Sequence, residues 1–373
     1  MIKVCHLTSV HCWNDIRIFK KQCVSLAKHN YDVSLIAFGA IDQIVENVRI
    51  INAGHVFQSR KQRMKKGRKQ IEKIAIEQDA QIYHFHDPEL IPVGKKLAQQ
   101  GKIVIYDVHE DVPRQILSKP YLNKFIARII SFFFEQYENK SVKKFSAVCC
   151  ATPFIQKRFT ALHQESVDIN NFPLENEIDF SDDMLKTKKN KVCYIGGISE
   201  IRGILPLVDA MALCNGITLD LAGDFPEGHF KDKIKSSAGW QYVNELGFIN
   251  REVAQQVKSE SIAGIVSFLP AENHINAQPN KIFEYMASGL PVIGSNFPLW
   301  RDIIEGNNCG ICVDPSSPQS IADAILCIAS DKQKSMLMGK NGIEAVKDKY
   351  NWKSEEKKLL TLYSKLLKQP GNE

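Results

Sequence analysis

The stretch PNKIFEYMASGLPVI, residues 279–293, places a lysine and a glutamate three positions apart. If the stretch from Pro279 is helical, Lys281 lies in the first turn, where backbone N–H groups are unpaired, and Glu284 lies on the same face. The glutamate could then accept hydrogen bonds from two ribose hydroxyls, and the lysine could neutralise a diphosphate. The other interpretation is an ordinary surface Lys–Glu pair, against which the apolar flanking residues argue.

A second candidate phosphate site is the turn after a predicted strand in KVCYIGGISEIRGILPLV, residues 191–208. Gly196 and Gly197 follow the strand, and Arg202 precedes a predicted helix. Backbone N–H groups and a cation in this arrangement suit a phosphate, although glycines at such turns also serve backbone geometry alone. The sequence has no Gly-x-Gly-x-x-Gly or Walker lysine loop, which argues against a dinucleotide-dependent dehydrogenase and a P-loop enzyme.

Histidines and acids follow three predicted strands in the first half, in the segments 8–17, 84–89 and 107–115. In a parallel sheet such segments meet at the carboxyl edge, where ligands bind. Five of these residues are candidate ligand contacts at this edge, namely Asp15, Arg17, His86, Asp87 and Glu89. A helix cap or a buried salt bridge is the alternative for each, and Asp15 precedes an apolar-periodic run as an N-cap would.

Length and composition favour a two-domain protein. The chain has 373 residues and is 44% hydrophobic, which is more than one ordinary core needs. The formal net charge of +6 permits a phosphorylated partner without requiring a nucleic acid, and we predict no nucleic-acid partner. The ten cysteines show no spacing typical of secreted proteins, and the N-terminus reads as a strand rather than a signal peptide. We therefore expect a reduced, cytoplasmic protein.

Short β-branched runs alternate with helical patterns in two successive sets, which predicts an α/β protein with two Rossmann-like domains. The first domain spans 1–172 and the second 173–350, and 351–373 forms a terminal amphipathic helix. A polar stretch at 170–191 separates the domains as a linker would. We expect a cleft where the carboxyl ends of the two sheets converge.

Residues 119–137 carry a broad apolar and aromatic stripe with helical spacing. Such a stripe is most often core, but with the basic run at 60–69 it could also lie on a bilayer or hold a lipid-linked partner. Its apolar part is far shorter than the roughly 20 residues that a membrane span requires. We therefore expect at most a peripheral contact with the inner face of the membrane.

PNKIFEYMASGLPVI, with YIGGISEIRGI before it and NNCGICVDPSSPQSIADAI after it, resembles the nucleotide-sugar-binding half of the retaining glycosyltransferases of family 4. The resemblance runs in order from about residue 191 to residue 330 and extends more loosely over the first half. It implies the GT-B fold, in which two Rossmann-like domains face each other across a cleft and a C-terminal helix crosses back to the N-terminal domain.

The resemblance also implies roles for the donor-site residues. Glu284 would bind the ribose of the donor nucleotide. Four residues would hold its diphosphate, namely Gly196, Gly197, Arg202 and Lys281. The family often has another glutamate eight positions before the ribose-binding one, where this chain has Asn276. We expect Asn276, together with Gln278 and Lys281, to contact the donor sugar, as in a subgroup that acts in bacterial surface-polysaccharide assembly.

For catalysis the resemblance points to His109, because the family has a histidine at the end of an equivalent strand, close to the donor sugar. Glu110 and Asp111 beside it are further candidates. The resemblance also implies that the N-terminal half supplies the acceptor site, for which the candidates are Asp15, Arg17, His86, Asp87 and Glu89. No metal and no cofactor are expected, since enzymes of this kind use cationic side chains where others use a divalent ion. The absence of an Asp-x-Asp motif in a suitable loop agrees with this expectation.

The resulting hypothesis is a hexosyltransferase or other glycosyltransferase of the EC 2.4 class. It would move a sugar, with retention, from a nucleotide-diphosphate sugar, UDP favoured over GDP, to a glycan carried on a polyprenyl diphosphate. The pathway would be bacterial surface polysaccharide synthesis, either the O-antigen of lipopolysaccharide or a capsule. Two alternatives are a GT-B sugar-nucleotide epimerase and a non-catalytic subunit that binds a nucleotide sugar, which the asparagine at position 276 leaves open.

Overall fold

The computed structural model describes residues 1–119, 122–163, 165–178, 188–226 and 228–368. Two compact units divide the chain: unit 1 is Met1–Asn171 with Trp352–Glu373, and unit 2 is Phe172–Asn351. Part of the predicted linker falls on residues 179–187, which lie outside the described residues.

Unit 1 is built on an eight-stranded sheet. Its strands are β1 Lys3–Leu7, β2 Asp32–Ala37, β3 Gln43–Val45, β4 Val48–Asn52, β5 Ile82–Phe85, β6 Ile103–Val108, β7 Ala147–Cys150 and β8 Ser166–Asp168. They lie in the order β3-β4-β2-β1-β5-β6-β7-β8, and only β3 is antiparallel to its neighbour. The strands β3, β4 and β8 were not predicted, because such short runs near the sheet edges carry little hydrophobic periodicity.

All but the last of the helices described in unit 1 connect strands of its sheet. They are Val24–Lys28, Arg60–Gln62, Arg68–Gln78, Ile91–Gln99, Val112–Leu117, Lys124–Val142, Pro153–Thr160 and Trp352–Leu367. Two π-helical segments, Ile16–Cys23 and Arg63–Gly67, lead into the helices that follow them. Asp15 caps the first of these segments, since its Oδ1 accepts from the Ile18 N–H at 2.9 Å, as the sequence alternative for this residue had it.

The helix Trp352–Leu367 belongs to unit 1 although it ends the chain. Its Trp352 Nε1 donates to Ser25 Oγ at 2.9 Å, and Glu355, which is buried, accepts from the Asn170 N–H at 2.7 Å. Tyr363, also buried, has its hydroxyl 2.9 Å from His84 Nδ1. These contacts confirm the prediction that the C-terminal helix returns to the N-terminal domain.

Unit 2 has a six-stranded parallel sheet in the order β11-β10-β9-β12-β13-β14, the arrangement of a Rossmann-like domain. The strands are β9 Lys191–Ile195, β10 Thr218–Ala222, β11 Val243–Gly247, β12 Ala263–Val266, β13 Val292–Ser295 and β14 Gly310–Val313. The helices are Ile204–Met211, Phe230–Lys235, Arg251–Glu260, Glu272–Ile275, Asn280–Ala287, Pro298–Ile304, Pro318–Ser330 and Lys332–Asp348. The predicted α/β fold with two such sheets is confirmed.

Tyr285 fixes the helix Asn280–Ala287 against the sheet of unit 2. Its ring packs on Gly264 of β12, where a side chain larger than hydrogen would collide with it. Its hydroxyl, which is buried, accepts from the Ile195 N–H at 3.1 Å, at the carboxyl end of β9. This contact holds the first turn of the helix, with Lys281, beside the turn that follows β9.

In the part of the chain that the structure describes, every helix is too short or too polar to cross a membrane. The predicted apolar stripe lies on the helix Lys124–Val142, and much of it faces outward rather than into the core. Phe125, Phe132 and Phe133 are 70%, 58% and 66% exposed. An apolar face of this size on a helix surface is typical of an interaction surface.

Candidate functional site

The turn after β9 brings Gly196, Arg202 and Lys281 together. Gly196 has φ 139°, a backbone conformation that favours glycine, and a Cβ at this position would collide with Lys281 Nζ. The Arg202 guanidinium lies against Gly197 and donates from Nη1 to its carbonyl oxygen at 3.3 Å. The two glycines therefore allow two cations to approach the backbone of one turn.

Lys281 carries a buried ammonium with no hydrogen-bond partner among the described residues. Its Nζ lies 4.3 Å from the centre of the Tyr194 ring and 5.6 Å from that of Phe268. Burial and, to a smaller extent, the Arg202 charge lower the pKa of Lys281 to about 7, and the Glu284 charge only partly offsets them. An anion placed here would supply the missing partner.

Arg202, like Lys281, lies close to an aromatic ring. Its guanidinium stands 5.4 Å from the centre of the Phe268 ring. Within the described ranges neither Arg202 nor Lys281 forms an ion pair with a carboxylate, although the chain has 42 acidic residues. Two adjacent cations without an acid suit a ligand that carries at least two negative charges.

Glu284 and Asn276 occupy different settings. Glu284 is exposed one turn after Lys281, where its carboxylate is accessible to a ligand. Asn276 follows the helix Glu272–Ile275 and is half-buried. The side-chain oxygens of Asn273 and Gln278 on either side of it are buried without a partner in the described residues. Sequence reasoning named Gln278 but missed Asn273, which no motif distinguishes.

An open pocket at the carboxyl ends of β10 and β11 was not predicted. Its lining includes Gly223, Asp224, Phe225 and Gly247. Gly223 has φ 147°, and a Cβ there would collide with the Gly196 carbonyl oxygen, so the pocket is continuous with the glycine turn. The signal in the sequence was the pair Gly223 and Asp224 directly after the apolar run TLDLA, which forms β10.

In unit 1, His109 lies just beyond β6 with a side chain that is 17% exposed. Its Nε2 is 3.1 Å from Oδ2 of Asp107, which is fully buried. Burial by itself raises the pKa of Asp107, but the Arg17 guanidinium and His109 hold this pKa well below its usual range. Sequence reasoning missed Asp107, because an acid inside an apolar strand was counted as part of the strand. Glu110 is exposed and accepts a hydrogen bond from Gln115.

Asp87 and Glu89 lie at the end of β5 next to the loop after β1. Asp87 accepts hydrogen bonds from Thr8 Oγ1 at 2.9 Å and from the Ser9 N–H at 2.6 Å. Glu89 accepts from Ser9 Oγ at 2.7 Å and pairs with Arg63 Nε at 2.8 Å. These contacts order the loop after β1. The role of Asp87 and Glu89 in binding an acceptor stays a prediction.

Asp15 and Asp87 flank His11, a residue that sequence reasoning did not select. The ring nitrogens of His11 lie 3.6 Å from Asp15 and 3.5 Å from Asp87. Burial lowers the pKa of His11, but the two carboxylates raise it above its ordinary value overall. The same contacts help to lower the pKa of Asp15 to about 2, against the effect of burial.

The structure places Arg17 and His86 in the interior of unit 1 rather than on its surface. Arg17 donates to both oxygens of Asp107, at 2.6 and 3.0 Å, and to the Ile169 carbonyl oxygen at 2.6 Å. His86 is also buried, with Nδ1 3.1 Å from Asp107. This geometry matches the buried salt bridge that the sequence left open as the alternative role of Arg17.

One group of residues in the described ranges has the composition of a metal site: His84, His86 and Asp107. The Arg17 guanidinium already occupies both oxygens of Asp107, and both nitrogens of His86 have polar partners. A metal ion here would displace these bonds and lie beside a fixed cation. The donor set therefore does not fit a metal.

Residues 189–331 match the family model for glycosyl transferases group 1, the span that contains the glycine turn, Lys281 and Glu284. These residues are less than half of the chain, and over them the chain resembles this family. Group 1 members are glycosyltransferases, enzymes of the EC 2.4 class. An uncharacterised glycosyltransferase of Methanocaldococcus jannaschii is 24% identical over 207 residues, which are 54% of this chain and 52% of that protein. The chain thus matches about half the length of this curated relative.

Solved structures are similar over nearly the whole chain. Sucrose-phosphate synthase from Thermosynechococcus elongatus has 18% identity and a TM-score of 0.80, covering 98% of this chain and 99% of that chain. Anabaena HepE in complex with UDP-glucose has 16% identity and a TM-score of 0.74, covering 98% and 100%. At these identities the likeness shows the fold, and the predicted GT-B fold is confirmed.

The buried ammonium of Lys281 leads to a prediction about stability. Its pKa is about 7 in the folded chain against an ordinary 10.5. Below pH 7 both states are protonated and folding bears the whole cost of burial, and between pH 7 and 10.5 the folded state loses the proton first and the cost shrinks. Lys281→Met should therefore raise the free energy of unfolding by several kcal/mol at pH 7, at about 1.36 kcal/mol per pKa unit, and by much less at pH 10.

Urea denaturation at both pH values measures this effect. Lys332→Met, at an exposed lysine of the same unit, is the matched control and should change stability by less than about 0.5 kcal/mol. A Lys281→Met variant that is less stable than the parent at pH 7 would contradict the prediction.

Proposed function

We propose that the protein transfers a sugar from a nucleotide-diphosphate sugar, and that the diphosphate binds between Arg202 and Lys281. The observation that carries this proposal is the buried ammonium of Lys281, which lies against Gly196 without a hydrogen-bond partner. Leaving such a group unsatisfied costs free energy, so a fold retains it where a ligand completes it. A diphosphate would neutralise both cations and accept hydrogen bonds from each.

Glu284 would bind the ribose of the same nucleotide. It is exposed one turn along the helix from Lys281, and a carboxylate can accept from two neighbouring hydroxyls. The pocket beside Gly223 and Phe225 would take the base. The UDP-glucose complex of the structurally similar HepE supports UDP as the nucleotide, and Asn276 would contact the donor sugar.

The reaction separates into steps that different residues would assist. The bond between the anomeric carbon and the diphosphate breaks, its electron pair leaves with UDP, and a hydroxyl oxygen of the acceptor bonds to the carbon. Arg202 and Lys281 would stabilise the charge that develops on the departing diphosphate. His109, with Glu110 as the further candidate, would act on the sugar, and the loops with Asp15, Asp87 and Glu89 would receive the acceptor. The outcome would be retention, as the family resemblance implies.

A lipid-linked glycan is the acceptor that the surface of unit 1 supports best. The exposed aromatic side chains of the helix Lys124–Val142 would enter the interface of an anionic bilayer. Basic groups adjoin the end of this face. Lys95 Nζ lies 4.9 Å from the centre of the Tyr137 ring, and the Arg68 charge is close enough to lower the pKa of the same tyrosine, although burial raises this pKa overall. A polyprenyl-diphosphate-linked acceptor at the inner membrane would place the protein in surface polysaccharide synthesis, of O-antigen or capsule.

Donor binding tests the assignment of the site. Lys281→Met should weaken UDP binding by about 100-fold, and Glu284→Gln by about tenfold, because each removes a charged hydrogen-bonding group. Isothermal titration calorimetry with UDP measures both. Glu252→Gln, an exposed glutamate on another helix of unit 2, should bind like the parent. Parental affinity in the Lys281→Met variant would rule out the diphosphate site.

His109→Ala should bind UDP as the parent does but transfer no sugar, since the nucleotide contacts lie in unit 2. The measurement combines calorimetry with mass spectrometry of mixtures that contain UDP-glucose and a polyprenyl-diphosphate glycan. A parental rate of transfer in the variant would remove His109 from the reaction. An epimerised nucleotide sugar without transfer in the parent would favour the epimerase instead.

The membrane contact makes a separate prediction. Phe132→Ser/Phe133→Ser should reduce sedimentation with vesicles that contain phosphatidylglycerol by about tenfold or more, because two exposed rings leave the interface. Ile41→Ser/Ile44→Ser removes two apolar side chains that are 74% and 73% exposed elsewhere on unit 1, and should sediment like the parent. Equal loss in both variants would mean that the helix has no special role.

A further inference from the structure

Five hydrogen-bonded side chains form a network through the interior of unit 1, and the proposed function does not use this network. Its members, in order, are Asp107, His86, His6, Tyr363 and His84, all buried. His6 Nδ1 lies 2.9 Å from His86 Nε2, and the Tyr363 hydroxyl lies 3.4 Å from His6 Nε2 and 2.9 Å from His84 Nδ1. Because these side chains are shielded from bulk water, their hydrogen-bond partners are other residues of the protein.

Asp107 sets the direction of the hydrogen bonds at one end. Arg17 and Gln22 donate to it, and the guanidinium keeps its carboxyl group ionised despite burial. An ionised carboxylate accepts hydrogen bonds and donates none. The two ring nitrogens that lie 3.1 Å from its Oδ2, His86 Nδ1 and His109 Nε2, therefore both direct protons at the carboxylate. Their separation of 3.2 Å from each other is then a contact between two donors and not a hydrogen bond.

The other hydrogen bonds of this network also have a fixed donor and a fixed acceptor. Burial holds the pKa values of His6, His84 and His86 below the ordinary value, so each ring is neutral and has one N–H and one acceptor nitrogen. With its proton on Nδ1, His86 accepts at Nε2 from His6 Nδ1, and His6 Nε2 then accepts from the Tyr363 hydroxyl. His84 Nδ1 donates to the tyrosine oxygen. The group left over is His84 Nε2, which has no partner in the described residues.

We propose that Asp107, held by Arg17 and by this network, is a positioning residue that fixes His109 with its proton on Nε2. In the neutral form of the ring the other nitrogen, Nδ1, is then a hydrogen-bond acceptor, and it makes no hydrogen bond among the described residues. Its ligand is a hydroxyl group, since an acceptor nitrogen requires a donor. This inference rests on the proposed function, in which that hydroxyl belongs to a sugar.

The opposite tautomer would present an N–H and could not accept from a hydroxyl. A ring whose nitrogen donates to a carboxylate is also held in one orientation. The sugar hydroxyl would then bind a hydrogen-bond-accepting nitrogen that is fixed in position. The helix Trp352–Leu367 contributes Tyr363 to the far end of the network. The end of the sequence thus takes part in fixing a ring that lies just after β6.

Nuclear magnetic resonance on the full chain with ¹⁵N-labelled histidine tests the inference. His109→Gln identifies the His109 signals by their absence. In the parent we expect an unprotonated Nδ1 and an Nε2 proton that exchanges slowly with water because Asp107 binds it. A proton on Nδ1, or an Nε2 proton that exchanges too fast to be seen, would overturn the proposal without any substitution at Asp107.

The variant Arg17→Met/Asp107→Ala removes both members of the ion pair, so that no buried charge loses its partner. The slowly exchanging proton should disappear. The kcat for UDP release from UDP-glucose should fall about 100-fold, while the Kd for UDP changes less than about threefold. A variant that keeps the protected proton and the parental kcat would refute the role of Asp107.

The matched control is Arg158→Met/Glu138→Ala, which removes another buried carboxylate–arginine pair of unit 1. It should lose stability but keep the His109 proton and the kcat of the folded protein. If the control lost both as well, general destabilisation would explain the result and the proposal would fail. If the parent did not bind UDP, the proposed function would fail. The NMR experiment would still show which nitrogen of His109 carries the proton.

Discussion

A charge buried in protein must have a partner, and the two units meet this constraint in opposite ways. In unit 1 the Asp107 carboxylate is paired with Arg17 and surrounded by further donors. In unit 2 the Lys281 ammonium is as thoroughly buried and has no such partner within the described residues. The first arrangement is complete without a ligand and serves to orient its neighbours. The second is incomplete, so its free energy improves when an anion binds.

The backbone around each charge is shaped to permit this. Gly196 and Gly197 leave room for cations that any side chain would displace. Tyr285 holds the helix Asn280–Ala287 to the end of β9, which keeps the backbone of Lys281 beside the glycine turn. A site of this kind trades stability of the free protein for preorganisation toward its ligand. The match of residues 189–331 to the family model for glycosyl transferases group 1 agrees with the diphosphate that we propose as this ligand.

The sequence predicted the elements that periodicity and turn residues specify. Alternating apolar runs gave the central strands of both sheets, and the Pro279 to Glu284 segment gave the helix that carries Lys281. The short β3 and β8 escaped prediction because three residues contain less than two full periods. Arg17 was placed among ligand-binding residues because it follows a strand, although the structure turns its guanidinium inward to Asp107. Direction of a side chain depends on packing between segments distant in the chain.

By itself the sequence determined the α/β class, the two Rossmann-like units and the types of residue at the proposed donor site. These properties follow from local patterns, which a single segment can contain. Only the tertiary structure decided that Lys281 lacks a partner, that Asp107 contacts both His86 and His109, and that Tyr363 reaches His84 from 279 positions away. Each of these facts is a distance between residues far apart in sequence, and such distances are set when the sheets and helices pack.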